Sequence, residues 1–270
     1  MKLEYHTFSF AKALLSAFFL LYFAYSHAAT SALCPLPEGG RWEKVAVVND
    51  GDTVTLASGI RVRIIGIDAP EINYQHLDKS EPVALEAREQ LKKRLGKHMR
   101  IRVIPGREAE DRYGRLLAHV AFEDGVNLAA WSLRHGWAQL MIIPPNDDHW
   151  QCYRQQELLA RREKRGIWQH SYYLPKPAAS VSAKHTGSIR IRGEITRVIE
   201  TRRYHWLVLD GRVHLGIRRH DDKRFPEDFE TFWLHKRIEA AGWLYASHGK
   251  LRMRIRHPAQ ILLLDNEKDH

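Results

Sequence analysis

Long apolar runs are nearly absent from this chain. In 270 residues only Ala13 to Tyr25 approaches one, and it falls short of the roughly 20 residues that cross a bilayer. Lys2 and Lys12 flank it and Ser26-His27-Ala28 follows. A charged start, a short apolar core and a small-x-small site describe a secretory leader. We therefore expect residues 1–28 to be removed after Ala28, leaving an exported protein, periplasmic or secreted, with no stable membrane span. An uncleaved N-terminal anchor is the alternative. A lipoprotein signal is disfavoured, because Leu33 and not a small residue precedes Cys34.

Cysteine is equally scarce, with Cys34 and Cys152 the only two. In an exported chain such a pair predicts a disulfide, here between the mature N-terminus and a later helix. Two separate buried thiols are the other possibility. The sixteen histidines contain no H-E-x-x-H spacing, so none is assigned to zinc. An EF-hand is excluded as well. A loop opening at Asp50-Gly51-Asp52 would need glycine at its sixth position and glutamate at its twelfth, where Thr55 and Arg61 stand.

Acidic residues are under-represented, 32 against 42 Lys and Arg, for a net charge of +10; the leader accounts for +1 of this (Lys2, Lys12, Glu4), leaving +9. That excess favours a polyanionic partner, although solubility alone also explains it. With 44% hydrophobic and 27% charged residues, the composition is that of a folded protein and not a disordered one.

The elements that are present are mostly short β-runs. Glu43–Asn49, Thr53–Leu56 and Ile60–Ile67 read as strands joined by the Asp50-Gly51 and Ser58-Gly59 turns. A loop, 73–81, precedes a helix from Pro82 to Leu95, with Ala84, Ala87, Leu91 and Leu95 near helical spacing. Two more strands, 100–104 and 116–122, lead to a short helix at 127–135, stopped by Gly136. A last helix is expected to be capped by Asn146 or Asp147 and to run to about Arg165. Residues 169–187, rich in Pro, Ala and Ser, read as an exposed linker. From 188 to 265 three strands, a short helical stretch and further strands follow the order of a five-stranded Greek-key barrel, with 266–270 as a tail. No sequence repeat relates the two halves.

Chemistry gathers where these turns meet. Asp50, Asp52, Asp68 and Glu71 place four carboxylates at two turn-adjacent points. If the second and third strands pair, Asp52 and Asp68 approach one sheet edge, and such oxygen donors suit a hard cation. Taken singly, each group is also ordinary turn chemistry. Arg63 precedes Asp68 on the same run, and Arg115 stands where another strand begins. A cation, a carboxylate and two guanidiniums together suit attack of water on a phosphodiester. Glu71 could orient the water, while Arg63 and Arg115 bind phosphate oxygens bidentately.

The stretches "NDGDTVTL", "RVRIIGIDAPE", "DRYGRLLAHV" and "VNLAAWSLRHGWAQ…REKRGIW" together resemble the staphylococcal nuclease (thermonuclease) family over roughly residues 41–168. The resemblance implies a β-rich α+β fold, a five-stranded OB-type Greek-key barrel with three helices, in a domain spanning 29–168. It implies Ca²⁺-dependent hydrolysis of DNA and/or RNA by a monomer. Residue by residue, it implies metal ligation by Asp52, Asp68 and the Ala69 carbonyl, with Asp50 and Thr53 behind them. It implies Arg63, Glu71 and Arg115 as the catalytic set, and Arg112 and Tyr113 beside the nucleotide phosphate. The loop 73–82 departs from the family's pattern. So do Trp137 and Leu140, where tyrosines would be expected near the base.

The C-terminal half is expected to form a second, smaller OB-like barrel that binds nucleic acid. Arg190, Arg192, Arg252, Arg254 and Arg256 alternate with apolar residues, which puts them on one sheet face, with Trp206, Trp243 and Tyr245 on neighbouring strands. An ordinary solvated face is the competing reading. A non-catalytic nucleic-acid-binding module and a basic envelope-associated protein are the alternatives to a nuclease. Retention of Asp52, Asp68, Arg63, Glu71 and Arg115 together argues against the first. Leader cleavage would argue against the second.

Overall fold

The computed structural model describes residues 33–226 and 228–264. The expected leader, 1–28, and tail, 266–270, lie outside them. From Cys34 onward the described residues form one compact unit.

The first half comprises β1 (Arg41–Val48), β2 (Thr53–Leu56), β3 (Arg61–Ile64), β4 (Gly66–Asp68), α1 (Ala84–Leu95), β5 (Arg100–Glu110), β6 (Leu116–Ala121), α2 (Leu128–His135), β7 (Gln139–Met141) and α3 (Trp150–Arg162). Five strands close a barrel in the order β1-β2-β3-β6-β5. β3 and β6 run parallel, and the other neighbours, β1·β5 included, run antiparallel. Val45 and Val48 are both buried although three residues apart. A register irregularity between Val45 and Val47 supplies the extra residue. α1 buries Ala84, Ala87, Leu91 and Leu95, as its periodicity predicts. α2 is capped by Asn127, which accepts from the Ala130 N–H at 3.3 Å.

Two local expectations change. The run Ile60–Ile67 is not one strand. It breaks after Ile64, and β4 leaves the barrel to pair with β7, Gly66 opposite Met141 and Asp68 opposite Gln139. Gly66 takes φ +96°, and the Tyr153 ring lies 2.4 Å from where a Cβ would be, so only glycine fits the break. Helix α3 starts later than expected, behind His149, and ends at Arg162. Asn146 does not cap it, because its side chain is engaged by the Glu108 backbone N–H (3.1 Å) and carbonyl (2.8 Å). A Cys34–Cys152 disulfide ties the segment before β1 to α3.

The second half comprises β8 (Lys176–Pro177), β9 (Gly187–Glu200), β10 (Tyr204–Leu209), β11 (Val213–Arg218), α4 (Phe229–Trp233), β12 (Arg237–Ser247), β13 (Lys250–Ile255) and β14 (Ile261–Leu263). Pairing of β12 with β9 closes the ring β9-β10-β11-β13-β12, with β14 and β8 added at its margins. Here too the third and fifth strands, β11 and β13, are the parallel pair, and a helix precedes the fourth. The two barrels therefore follow the same path without a sequence repeat. Strand order is set by alternating apolar residues and turn positions, and many sequences satisfy those.

The stretch expected as a linker, 169–187, is largely exposed but is anchored at three points. Tyr173, Ala178 and Val181 are buried, the latter two in the second core. Arg212 donates Nε to the Val181 carbonyl at 2.7 Å. Small Ala and Val side chains that look like linker composition join the second core. Pro177 is accommodated because β8 is a margin strand.

One face of α3 rests on β9 and β12. Arg190 pairs with Glu157 of α3 at 2.6 Å and with Glu239 at 3.0 Å, and Arg161 reaches Glu239 at 2.5 Å. Arg190 is 8% exposed. It is therefore not part of a solvent-facing basic face, as its alternation suggested, but of an ion-pair network between the barrels.

Candidate active site

Three structural pieces bring the acidic residues together: the β1–β2 turn, the end of β4, and the loop that follows. Gly51 allows the close approach, since a Cβ there would lie 2.7 Å from that of Ala69. Asp52, 5% exposed, is held from several sides. Its Oδ2 accepts from the Ala69 N–H at 2.6 Å, and its Oδ1 accepts from the Thr53 hydroxyl at 2.9 Å. The Asp52 N–H donates to Asp50 Oδ1 at 2.9 Å.

Arg63 lies between the two expected metal-binding carboxylates. Its Nε is 3.2 Å from Asp52 Oδ1 and its Nη2 is 3.0 Å from Asp68 Oδ1. Its Nη1 donates to the carbonyls of Ile64 (2.9 Å) and Ile67 (2.7 Å). These last two bonds depend on the break in the strand, which turns both carbonyls toward the guanidinium. Burial alone would lower the Arg63 pKa, but Asp52, Asp68, Asp50 and Glu71 outweigh it and keep the group charged.

The carboxylates respond in the opposite sense. Burial, reinforced by the Asp52 charge, pushes Asp50 up to about 7. Burial likewise pushes Asp68 up to about 7, against the pull of Arg63. Glu71 is raised by desolvation and by Asp52, with Arg63 and Arg115 opposing. One arginine thus faces more negative charge than it neutralises. Among the described residues no three Asp, Glu, His or Cys side chains converge as a cage. A small hard cation held by two carboxylates, a backbone carbonyl and water fits this donor set, and it would relieve the surplus charge.

Arg115 stands at the start of β6, alongside β3, where Val62 lies opposite Leu116. Its Nε is held by Asp111 Oδ2 at 2.7 Å. Asp111 Oδ1 also accepts the N–H groups of Tyr113 and Arg115, at 2.9 and 3.0 Å. Tyr113 is 64% exposed, with the Arg112 guanidinium 4.7 Å from its ring centre and that of Arg115 at 5.6 Å. The structure therefore gathers Asp50, Asp52, Thr53, Arg63, Asp68 and Ala69 in one network, with Glu71 within electrostatic reach of Asp52 and Arg63. It puts Arg112, Tyr113 and Arg115 on an adjoining turn, with Arg115 within electrostatic reach of Glu71.

Two contributors escaped the sequence reading. Asp111 had a signal, an aspartate opening a tight turn that ends in glycine. Glu81 had none. Its Oε2 accepts the Glu71 N–H at 3.1 Å and its Oε1 the Tyr172 hydroxyl at 2.8 Å, a partnership across 91 residues of sequence. Beside them the loop after β4 forms a cleft of about 440 Å³ lined by Glu71, Tyr74, Lys79 and Glu81.

Residues 61–170 match the family profile described as staphylococcal nuclease homologue. The thermonuclease of Staphylococcus intermedius is 34% identical over 128 residues, which are 45% of this chain and 73% of that protein. This chain belongs to the staphylococcal nuclease homologue family. An uncharacterized endonuclease of Escherichia coli O157:H7 is 30% identical over 136 residues, 49% of this chain and 80% of its own length. Endonuclease YhcR of Bacillus subtilis (strain 168) is 29% identical over 166 residues, 57% of this chain, and the match spans only 14% of that protein. The family match begins at β3 and ends just after α3, within the first barrel and its helices. The second barrel lies beyond it.

Proposed function

We propose that this protein is an exported, Ca²⁺-dependent nuclease that hydrolyses phosphodiester bonds of DNA and/or RNA by metal-assisted attack of water at the site on the first barrel. The Asp52–Arg63–Asp68 ion-paired network carries this reading: it couples a hard-cation donor set to a phosphate-binding guanidinium in one buried constellation. Asp52, Asp68 and the Ala69 carbonyl would hold the cation, which when bound supplies positive charge to a phosphate oxygen. Asp50 fixes the Asp52 backbone and the Thr53 hydroxyl its carboxylate.

The remaining steps belong to the protein's own side chains. Glu71 orients the attacking water and accepts its proton. Arg63 and Arg115 take the non-bridging phosphate oxygens, whose charge grows as water adds to phosphorus and one P–O ester bond breaks. Asp111 engages only Nε of Arg115, which leaves its two Nη ends for the phosphate. Arg112 and Tyr113 flank the nucleotide. Export is supported by the disulfide and by the leader-like N-terminus.

The test is cleavage by the purified mature protein of single- and double-stranded DNA and RNA, with Ca²⁺, Mg²⁺ or EGTA. The proposal requires cutting with Ca²⁺ and none with EGTA. Salt-sensitive binding with no cutting under any divalent cation would replace it with the non-catalytic binding module.

A further inference from the structure

The outward face of the second barrel carries an aromatic and guanidinium stripe that the catalytic site does not use. Tyr204 and Trp206 alternate along β10, and their rings stack loosely, 4.9 Å between centres at 31°. Trp206 lies across the next strand, opposite Gly216, where a Cβ would come within 2.7 Å of the indole. Register carries the stripe onward. Gly216 is opposite Arg254 on β13, and Arg252 is opposite Tyr245 on β12. The Arg252 guanidinium lies 5.0 Å from the Trp206 ring. Arg218 lies 5.8 Å from the Tyr204 ring and donates Nε to its hydroxyl at 3.0 Å. Tyr245 is 37% exposed.

Charge on this face is one-sided. Against Arg218, Arg252 and Arg254 stands Asp221, 3.9 Å from Arg254. Planar rings with cations set between them match a chain that offers flat bases and phosphates alternately. A duplex hides its base faces and would meet only the charge. We infer that the β10-β11-β13-β12 face is a second nucleic-acid site, which takes single-stranded DNA or RNA by base stacking on Tyr204, Trp206 and Tyr245 and by phosphate contacts from Arg218, Arg252 and Arg254. The inference deepens the nuclease reading and rests on it only for the kind of polyanion. It gives the second barrel the role of holding a strand while the first barrel cuts it.

The experiment measures binding of fluorescent dT12, rU12 and a DNA duplex of the same length to the mature protein in EGTA, which silences cleavage. Trp206→Leu and the double variant Arg252→Ala/Arg254→Ala are compared with the parent, folding being checked by circular dichroism. Both variants should bind single strands at least tenfold more weakly, and the parent should prefer them to duplex. Losing two phosphate contacts should shallow the salt dependence of log Kd by about 1.4. Hydrolysis of a small chromogenic phosphodiester, too short to span both barrels, should stay at the parent level while KM for long single strands rises. Whichever of dT12 and rU12 binds more tightly identifies the strand. Absence of hydrolysis with variant-sensitive binding would sink the nuclease reading and leave this one standing. Parent-like binding by both variants, equal affinity for duplex, or no parent binding in EGTA would overturn it.

Discussion

At the scale of single residues, each side chain in the site is held by a neighbour that limits what it can do. Glu71 is raised by desolvation and by Asp52, which suits the proton-accepting role proposed for it. Glu71→Gln keeps the shape and removes the base. We expect kcat to fall by roughly 10²–10⁴ with little change in KM, measured by steady-state cleavage in saturating Ca²⁺. Arg63 uses Nε, Nη1 and Nη2 at once, on Asp52, Asp68 and two carbonyls. Arg63→Lys keeps the charge but cannot make this fork. It should lose about as much activity as Glu71→Gln and also lower Tm, whereas Glu71→Gln should leave Tm nearly unchanged. Equal Tm for the two variants would argue against the bracing role of Arg63. The identities of these residues were legible in "RVRIIGIDAPE". Their support from Asp111, Glu81 and Tyr172 was not, because a hydrogen-bond partner distant in sequence leaves no local pattern.

At the scale of elements, the decisive feature is the interruption between β3 and β4. Apolar alternation through Ile64, Ile65 and Ile67 reads as one strand, yet the pairing partner changes from β6 to β7 within it. The change frees the Ile64 and Ile67 carbonyls for Arg63 and sets Asp68 near Asp52. Gly66→Ala places a Cβ against the Tyr153 ring at a positive φ, so both sterics and backbone oppose it. We expect a loss of roughly 2–4 kcal/mol in urea unfolding, given the usual cost of such strain together with overpacking. Activity should fall further than stability explains, since Asp68 moves with the strand. A fully active variant at 10 °C would show that the break does not position the site. The helices, by contrast, were readable to within a few residues from spacing and from Gly136. The misplaced start of α3 came from Asn146, whose side chain serves Glu108 in space and not the helix that follows it.

At the scale of the whole molecule, the two barrels are joined through α3. Glu157 accepts the Leu140 N–H of β7 at 2.9 Å and pairs with Arg190 of β9, so strand β7, the partner of β4, is linked to the second barrel. Arg190→Ala would leave Glu157 without its ion-pair partner in a buried setting, with Glu239 held by Arg161 alone, at a cost of about 3–5 kcal/mol. Arg190→Met with Glu157→Gln and Glu239→Gln should recover much of that. Differential scanning calorimetry would separate the two.

Acid should also act on the molecule as a whole. Burial lowers His119 and His257 to about 4. An unfolded histidine takes up its proton near 6.5 and these folded ones only near 4, so they remove stability as pH falls from about 6.5 to 4. Asp50 and Asp68, raised to about 7, work the other way. Their contribution is present at low pH and is lost as pH rises through 7. His257→Gln should therefore lose less stability than the parent between pH 6.5 and 4, in urea titrations with EGTA. A slope equal to the parent's would show that His257 does not titrate as described.

The β-rich class, the helical spacings and the side chains proposed for the site were legible before the fold. Those follow from local periodicity, turn chemistry and residue type, which neighbours in the chain settle. The strand break at Gly66, the burial of Arg190, that of Tyr173, Ala178 and Val181, and the shared path of the two barrels came only with the fold. It also aligned Trp206, Arg252, Arg254 and Tyr245, from three strands, on one face. Alternation tells which residues share a face, but register between strands and contact between barrels depend on segments far apart in the chain, and only folding brings them together.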